Sequence, residues 1–136
     1  MRDDLYCEVQ QFYARQMWLL DNGDADSWAD TFTEDGTFVE RGRYEPLTGR
    51  RDIAAAARRR VDAVTGDGLV RRHWLGMLRV EDGADGTVRT RYRAVALSTP
   101  YGGGPATLYA STTAEDVLLR DRDDLRVRER HVTHDG

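Results

Sequence analysis

Residues 69–98 read LVRRHWLGMLRVEDGADGTVRTRYRAVALS. Apolar and polar positions alternate along both halves of this stretch, which is the period of a half-buried strand. Asp82-Gly83 and Asp85-Gly86 stand between the halves as turn signals. The pattern predicts two paired strands, Leu69–Val80 and Thr87–Ser98. Two further runs of the same kind follow, Ala106–Leu119 and Leu125–Thr133. Gly102-Gly103-Gly104 precedes the first, and the segment from Asp121 to Asp124 precedes the second. Long strands in series joined by short turns predict an antiparallel, strongly curved sheet.

Upstream the period changes. Leu5, Val9, Phe12, Tyr13, Met17 and Leu20 recur at helical spacing and give residues 5–20 one buried stripe. Asp21-Asn22-Gly23-Asp24 ends that helix: Gly suits the C-terminal cap, and Asp24 can cap the next helix. A short second helix is expected to hold Trp28 and Phe32 on its inner side, and Glu34-Asp35-Gly36 reads as a turn. Thr37–Arg41 reads as a short strand with Phe38 and Glu40 on one face, followed by a loop with Pro46 and Gly49. Asp52 opens a third helix with Ile53, Ala57 and Val61 on one side. Helices first and strands second make the class α+β, in one domain over residues 1–136. A curved sheet and a long helix cannot fill the wide end of the cone they enclose, so a mostly apolar pocket is expected there.

Composition excludes several function classes. The net charge is −4, whereas nucleic-acid binders carry a basic excess. All 20 basic residues are Arg, which rules out a Lys Schiff base. Cys7 stands alone, so neither an intrachain disulfide nor a cysteine metal cluster is expected. The opening MRDDLYCEVQ is acidic where a signal peptide is basic then apolar, and no apolar run reaches membrane-spanning length. A cytoplasmic protein without membrane or nucleic-acid partners is expected.

The stretches YARQMWLLDNGDADSWADTFTEDGTFVE (13–40), PLTGRRDI (46–53), RRHWLGMLRVEDG (71–83) and DVLLRDRDDLRVRER (116–130), in this order, resemble the SnoaL-like group of the NTF2-like superfamily. The resemblance implies an NTF2-like cone, with three N-terminal helices packed on the sheet. It also implies a small-molecule pocket, no metal, no cofactor, and a homodimer paired through the outer sheet face. Trp74 and Leu78, opposite in parity to His73, would help bury that face. In scytalone dehydratase and many SnoaL-like proteins an Asp ends the first long helix and pairs with a His at the opening of the first long strand. Asp21 and His73 match those positions. The general base of ketosteroid isomerase corresponds in place to Glu40, and a second acid to Glu115. Ser98 stands where scytalone dehydratase has a second His. Gln16 stands where the isomerase has its oxyanion Tyr.

These residue types suit proton transfer. His titrates near neutral pH, and an adjacent Asp fixes the imidazole tautomer. Of two further carboxyls in one cavity, one could be held neutral as a hydrogen-bond donor, for which Glu40 and Glu115 are the candidates. Strand parity puts Tyr92 with Ser98 on one face, and Thr113 with Glu115 on another. If those faces point inward, all four line the pocket, with Gln16, Tyr13 and Trp28 contributed by the helices; Tyr13 and Trp28 equally suit the core. Glu115 could instead pair with an Arg, and Asp21 could be only a turn residue. Arg89, Arg91 and Arg93 belong on the outer face. His131 and His134 are three apart, face opposite sides of a strand, and read as a frayed tail rather than a metal pair. The expected function is cofactor-independent acid–base catalysis of cyclisation, dehydration or isomerisation. The alternatives are a non-catalytic subunit resembling the beta subunits of ring-hydroxylating dioxygenases, and cofactor-free hydroxylation.

Overall fold

A computed structural model describes residues 3–136; Met1 and Arg2, which open the N-terminal reading, lie outside the described residues. Helices α1 (Asp3–Asp21) and α2 (Ala25–Ala29) precede strands β1 (Phe32–Glu40) and β2 (Leu47–Thr48). Helix α3 (Arg50–Gly66) leads into β3 (Leu69–Asp82), β4 (Thr87–Pro100), β5 (Thr107–Asp121) and β6 (Asp124–His134). The strands form one sheet in the order β2-β1-β6-β5-β4-β3. This is the α+β arrangement expected of an NTF2-like cone, with three helices on a curved sheet. Every pairing is antiparallel except β1 with β6, which run parallel, with α3 and four strands between them in the chain.

The core fills the concave side. Leu5, Val9 and Tyr13 of α1 pack with Trp28, Phe32 and Ile53 against Tyr92, Leu118 and Val127 of the sheet. Phe32 is fully buried as expected, but it opens β1 rather than sitting in α2. The predicted turn at Glu34-Asp35-Gly36 lies inside β1, where the register with β6 slips. A Cβ on Gly36 would stand 3.1 Å from Thr33 O and 3.2 Å from Val127 O, so a larger residue would crowd the backbone where the two strands approach.

Three bulges govern which residues face inward. The β3–β4 register gains a residue between Gly76 and Arg79, where Met77 adopts φ 53°. Beyond it the inward set changes from His73 and Leu75 to Leu78 and Val80. Leu78 therefore packs on the core instead of the outer face, and Met77 is exposed. In β5, Tyr109 is the extra residue, since Ala96 faces Ala110 and Leu97 faces Leu108. The inward set there is Thr112, Ala114, Asp116 and Leu118. A third slip, between Val127 and Glu129, turns Arg130 inward. His134 belongs to β6 rather than to a frayed tail.

Candidate active site

Helix α1 ends at Asp21 because Gly23 follows in a left-handed conformation (φ 83°). Its N–H donates to Leu20 O, and Asp24 N–H donates to Leu19 O, which satisfies the last carbonyls of the helix. Asp24 then accepts from Ser27 N–H and starts α2. This tight corner presents the Asp21 side chain to the opening of β3. The Asp21 Oδ1 atom lies 2.7 Å from His73 Nδ1. The His73 backbone N–H also points at the carboxylate, 3.2 Å from Oδ1 and 3.1 Å from Oδ2. A carboxylate accepts, so the proton of the neutral ring sits on Nδ1. Nε2 then carries the lone pair, and it has no partner among the described residues. No basic residue offsets Asp21 in the last turn of α1. An anion at the negative end of a helix is unfavourable, so the His73 donors are what stabilise it there.

The dyad opens on a cavity of about 450 Å³ between α1 and β3. Tyr13, Ala14, Met17, Trp18, Trp74 and Leu75 form its apolar wall, with Gln10, Asn22 and Arg72 at polar positions. Tyr13 connects the cavity to a buried polar floor. Asp116 and Arg130 face each other across β5 and β6 and are almost wholly buried. Arg130 donates through Nε to Asp116 Oδ1 (3.0 Å) and through Nη2 to Oδ2 (2.9 Å). Tyr13 and Tyr92 donate their hydroxyls to the same Oδ2 at 2.6 and 3.2 Å. With the Tyr13 proton so committed, the Thr90 hydroxyl, 2.5 Å away, donates to the Tyr13 oxygen. Gln16 accepts from Arg130 at 2.8 Å and donates to Thr31 at 2.6 Å. Burial, reinforced by Asp116, pushes both phenols above their usual pKa. Burial disfavours the charge on Arg130, but the Asp116 carboxylate more than offsets it and keeps the guanidinium above its usual range.

The sequence profile of the SnoaL-like domain matches residues 4–131. The chain belongs to the SnoaL-like family. Aln2 from a Streptomyces species is 38% identical, with a TM-score of 0.90 over 99% of this chain and 94% of that one. ActVI-ORFA from Streptomyces coelicolor is 32% identical, with a TM-score of 0.90 over 99% and 98%. A Catenulispora acidiphila protein solved in complex with S-DNPA is 37% identical, with a TM-score of 0.83 over 98% and 96%. No functionally curated protein matches the chain significantly.

Within this SnoaL-like frame the other candidates separate. Tyr13 lines the cavity beside Asp21 and His73. Gln16 and Tyr92 lie below it in the polar floor, and Trp28 packs in the core against Phe32 and Phe38. Ser98 is buried under Arg71, which donates to its hydroxyl. Glu40 is buried elsewhere, clamped by Arg60 at 2.5 Å and by His134 Nε2 at 3.0 Å. It ties α3 and β6 to the end of β1 and does not line the cavity. Glu115 and Thr113 point outward, opposite the exposed Arg91 and Arg93; Glu115 lies 3.6 Å from Arg91. The inward assignment of that face is corrected by the Tyr109 bulge, which moves every later residue of β5 to the other side. Asp116 and Arg130 are the site-supporting residues that alternation misses; Thr90 shares the inward parity of Tyr92, and Thr31 precedes β1, where alternation does not apply.

A second, more open depression of about 490 Å³ lies between α2, β1 and α3. Its Arg50 donates to Phe32 O through Nε and Nη2, so that cation is already used in the fold. Among the described residues no group of His, Cys, Asp and Glu is placed to hold a metal ion, and no helix is long and apolar enough to cross a membrane.

Proposed function

We propose that this SnoaL-like chain is a single-domain, cofactor-independent acid–base enzyme of secondary metabolism. Its substrate is a small polyketide-like or other cyclic molecule, which it cyclises, dehydrates or isomerises. The carrying observation is that one carboxylate, Asp21, holds both the ring Nδ1–H and the main-chain N–H of His73, while His73 lines a largely apolar cavity. Nε2 takes the proton from a carbon alpha to a carbonyl, and the electron pair moves onto the carbonyl oxygen. Asp21 stabilises the imidazolium that results. The imidazolium returns the proton to a leaving hydroxyl, which departs as water, or to another carbon, which completes an isomerisation. General acid–base transfer of this kind accelerates a reaction by roughly a hundredfold to ten thousandfold. Tyr13, fixed from below by Asp116, forms one wall for the substrate ring.

The S-DNPA bound by the Catenulispora relative supports a small-molecule occupant here. The alternative of a non-catalytic subunit calls for a pocket collapsed on its own side chains, whereas this cavity is open beside the dyad. A test is to incubate wild type and His73→Ala in D2O with S-DNPA and with 2-tetralone, and to follow product and deuterium uptake. Wild type should speed conversion or exchange at least about a hundredfold over the variant. Equal rates for both proteins with both compounds would sink the proposal.

We further propose a homodimer paired through the outer sheet face, where Trp74 and Met77 are 67% and 80% exposed. A light-scattering mass of one chain at micromolar concentration would refute it. The free, exposed Cys7 suits a reducing compartment, in keeping with a cytoplasmic location.

A further inference from the structure

Arg71 stands two residues before His73 on the same face of β3, about 7 Å along the strand. Its Nε and Nη2 both point at Ser98 Oγ, each at 3.3 Å, and its guanidinium carbon lies 3.5 Å from the centre of the Tyr109 ring. A hydroxyl and an aromatic face orient a guanidinium without neutralising it. Nη1 is left without a partner, and no carboxylate lies within ion-pair distance among the described residues. The neighbouring Arg72, on the cavity wall, is also without a carboxylate; its Nη1 donates to Arg71 O. The nearest acid on that wall, Asp21, is occupied by His73. Elsewhere this chain pairs its arginines freely with acids, as at Arg58–Asp26, Arg120–Glu8 and Arg130–Asp116. Arg71 itself is not part of the cavity lining, but it adjoins Arg72 and His73, which are; a part-buried cation held in place and left unpaired is an anion-recognition device.

We propose that Arg71 determines specificity by binding a carboxylate on the substrate, which places a ring-bearing acid with its charged end at Arg71 and its reacting carbon under His73. This rests on the reading of the cavity as the substrate site and adds the substrate class, an aromatic or cyclic carboxylic acid. Tyr109 holds the guanidinium over its ring, on the side of the sheet where Ser98 lies.

The test compares 2-naphthoate with its neutral counterpart 2-naphthamide by isothermal titration, on wild type, Arg71→Gln, Arg71→Lys and His73→Ala. Wild type should bind the acid about tenfold or more tightly than the amide, the worth of one charge-assisted contact. The preference should fall to within about twofold in Arg71→Gln, survive in part in Arg71→Lys, and persist in His73→Ala. Equal binding of acid and amide by wild type overturns the proposal. So does a preference that survives Arg71→Gln, or failure of both probes to bind. Shifts of the His73 ring resonances on adding naphthoate place the probe in the same cavity, and their absence also counts against it. If the acid preference follows Arg71 while turnover ignores His73, the acid–base proposal falls and the specificity proposal stands.

Discussion

Asp21 grips His73 twice, at the ring Nδ1 and at the main-chain N–H, and so fixes the imidazole in tautomer and in position. The ring has no freedom to present Nδ1 to a substrate without breaking its shortest contact.

Asp21→Asn should therefore damage chemistry more than structure. The amide can still accept from the His73 main chain. Its NH2 group, however, favours a ring protonated on Nε2, which removes the lone pair from the cavity. Turnover should fall at least about a hundredfold. Stability should change little, because the variant also removes an anion from a helix C-terminus, a relief of about 0.3–1 kcal/mol. Nitrogen shifts of the His73 ring report the tautomer, and thermal melting reports the fold. Near-normal turnover with an Nδ1–H ring would contradict this.

The buried pair below the cavity should behave in the opposite way. Arg130→Met leaves Asp116 charged and buried with only two phenol donors, and should cost about 3–5 kcal/mol in urea unfolding. Replacing both partners, Arg130→Met with Asp116→Leu, should recover a good part of that loss, because no uncompensated charge remains. A double variant less stable than Arg130→Met would show that the phenol and Gln16 contacts dominate instead.

Tyr13 and Tyr92 set an alkaline limit. In the fold both phenols keep their protons above the usual value of 10.0, while the unfolded chain releases them near it. Between those values the native state binds more protons, so stability falls as pH rises. Their stabilising contribution is complete below about pH 10 and is lost as pH climbs toward the raised folded values. Phenolate absorbance from these two of the six tyrosines should appear only together with unfolding. Tyr92→Phe should remove part of that coupled signal. Ionisation of both in the intact fold would refute the burial argument.

The outer carboxyl should be silent. Glu115→Gln and Thr113→Ala face away from the cavity, so turnover should stay within about twofold and stability within about 0.5 kcal/mol. Glu40→Gln should leave turnover within a few-fold but lower the melting temperature, since it breaks the clamp on Arg60 and His134. A hundredfold loss of turnover in Glu40→Gln would return that residue to the catalytic group.

What could be read from residues alone follows from how local each signal is. Asp21 and His73 were legible because a helix stop and a strand start are marked by neighbours, Asn22-Gly23 and the run opening at Leu69. The polar floor was not. Asp116 and Arg130 meet only after the extra residues at Tyr109 and beside Val127 have each reversed the faces of their strands. A bulge has no local marker in VRERH or TLYAS, and alternation counted through it assigns Glu115 the place that Asp116 holds. Alternation along β1 sets Glu40 on the face of Phe38, but the partners of Glu40, Arg60 and His134, are far away in sequence.

The parallel seam between β1 and β6 bears on how the molecule comes into being. Strand β6 follows every other strand in the chain yet lies between β1 and β5. During synthesis the helices and β1 emerge early and must wait beside an unfilled slot while β3, β4 and β5 build their hairpins. Only when Leu125–Val132 leaves the ribosome can β6 fill that slot, and with it arrives Arg130, the counter-charge to Asp116 and the donor to Gln16. Electrostatic completion of the interior and topological closure of the sheet are thus one late event, the kind of long-range step that slows folding.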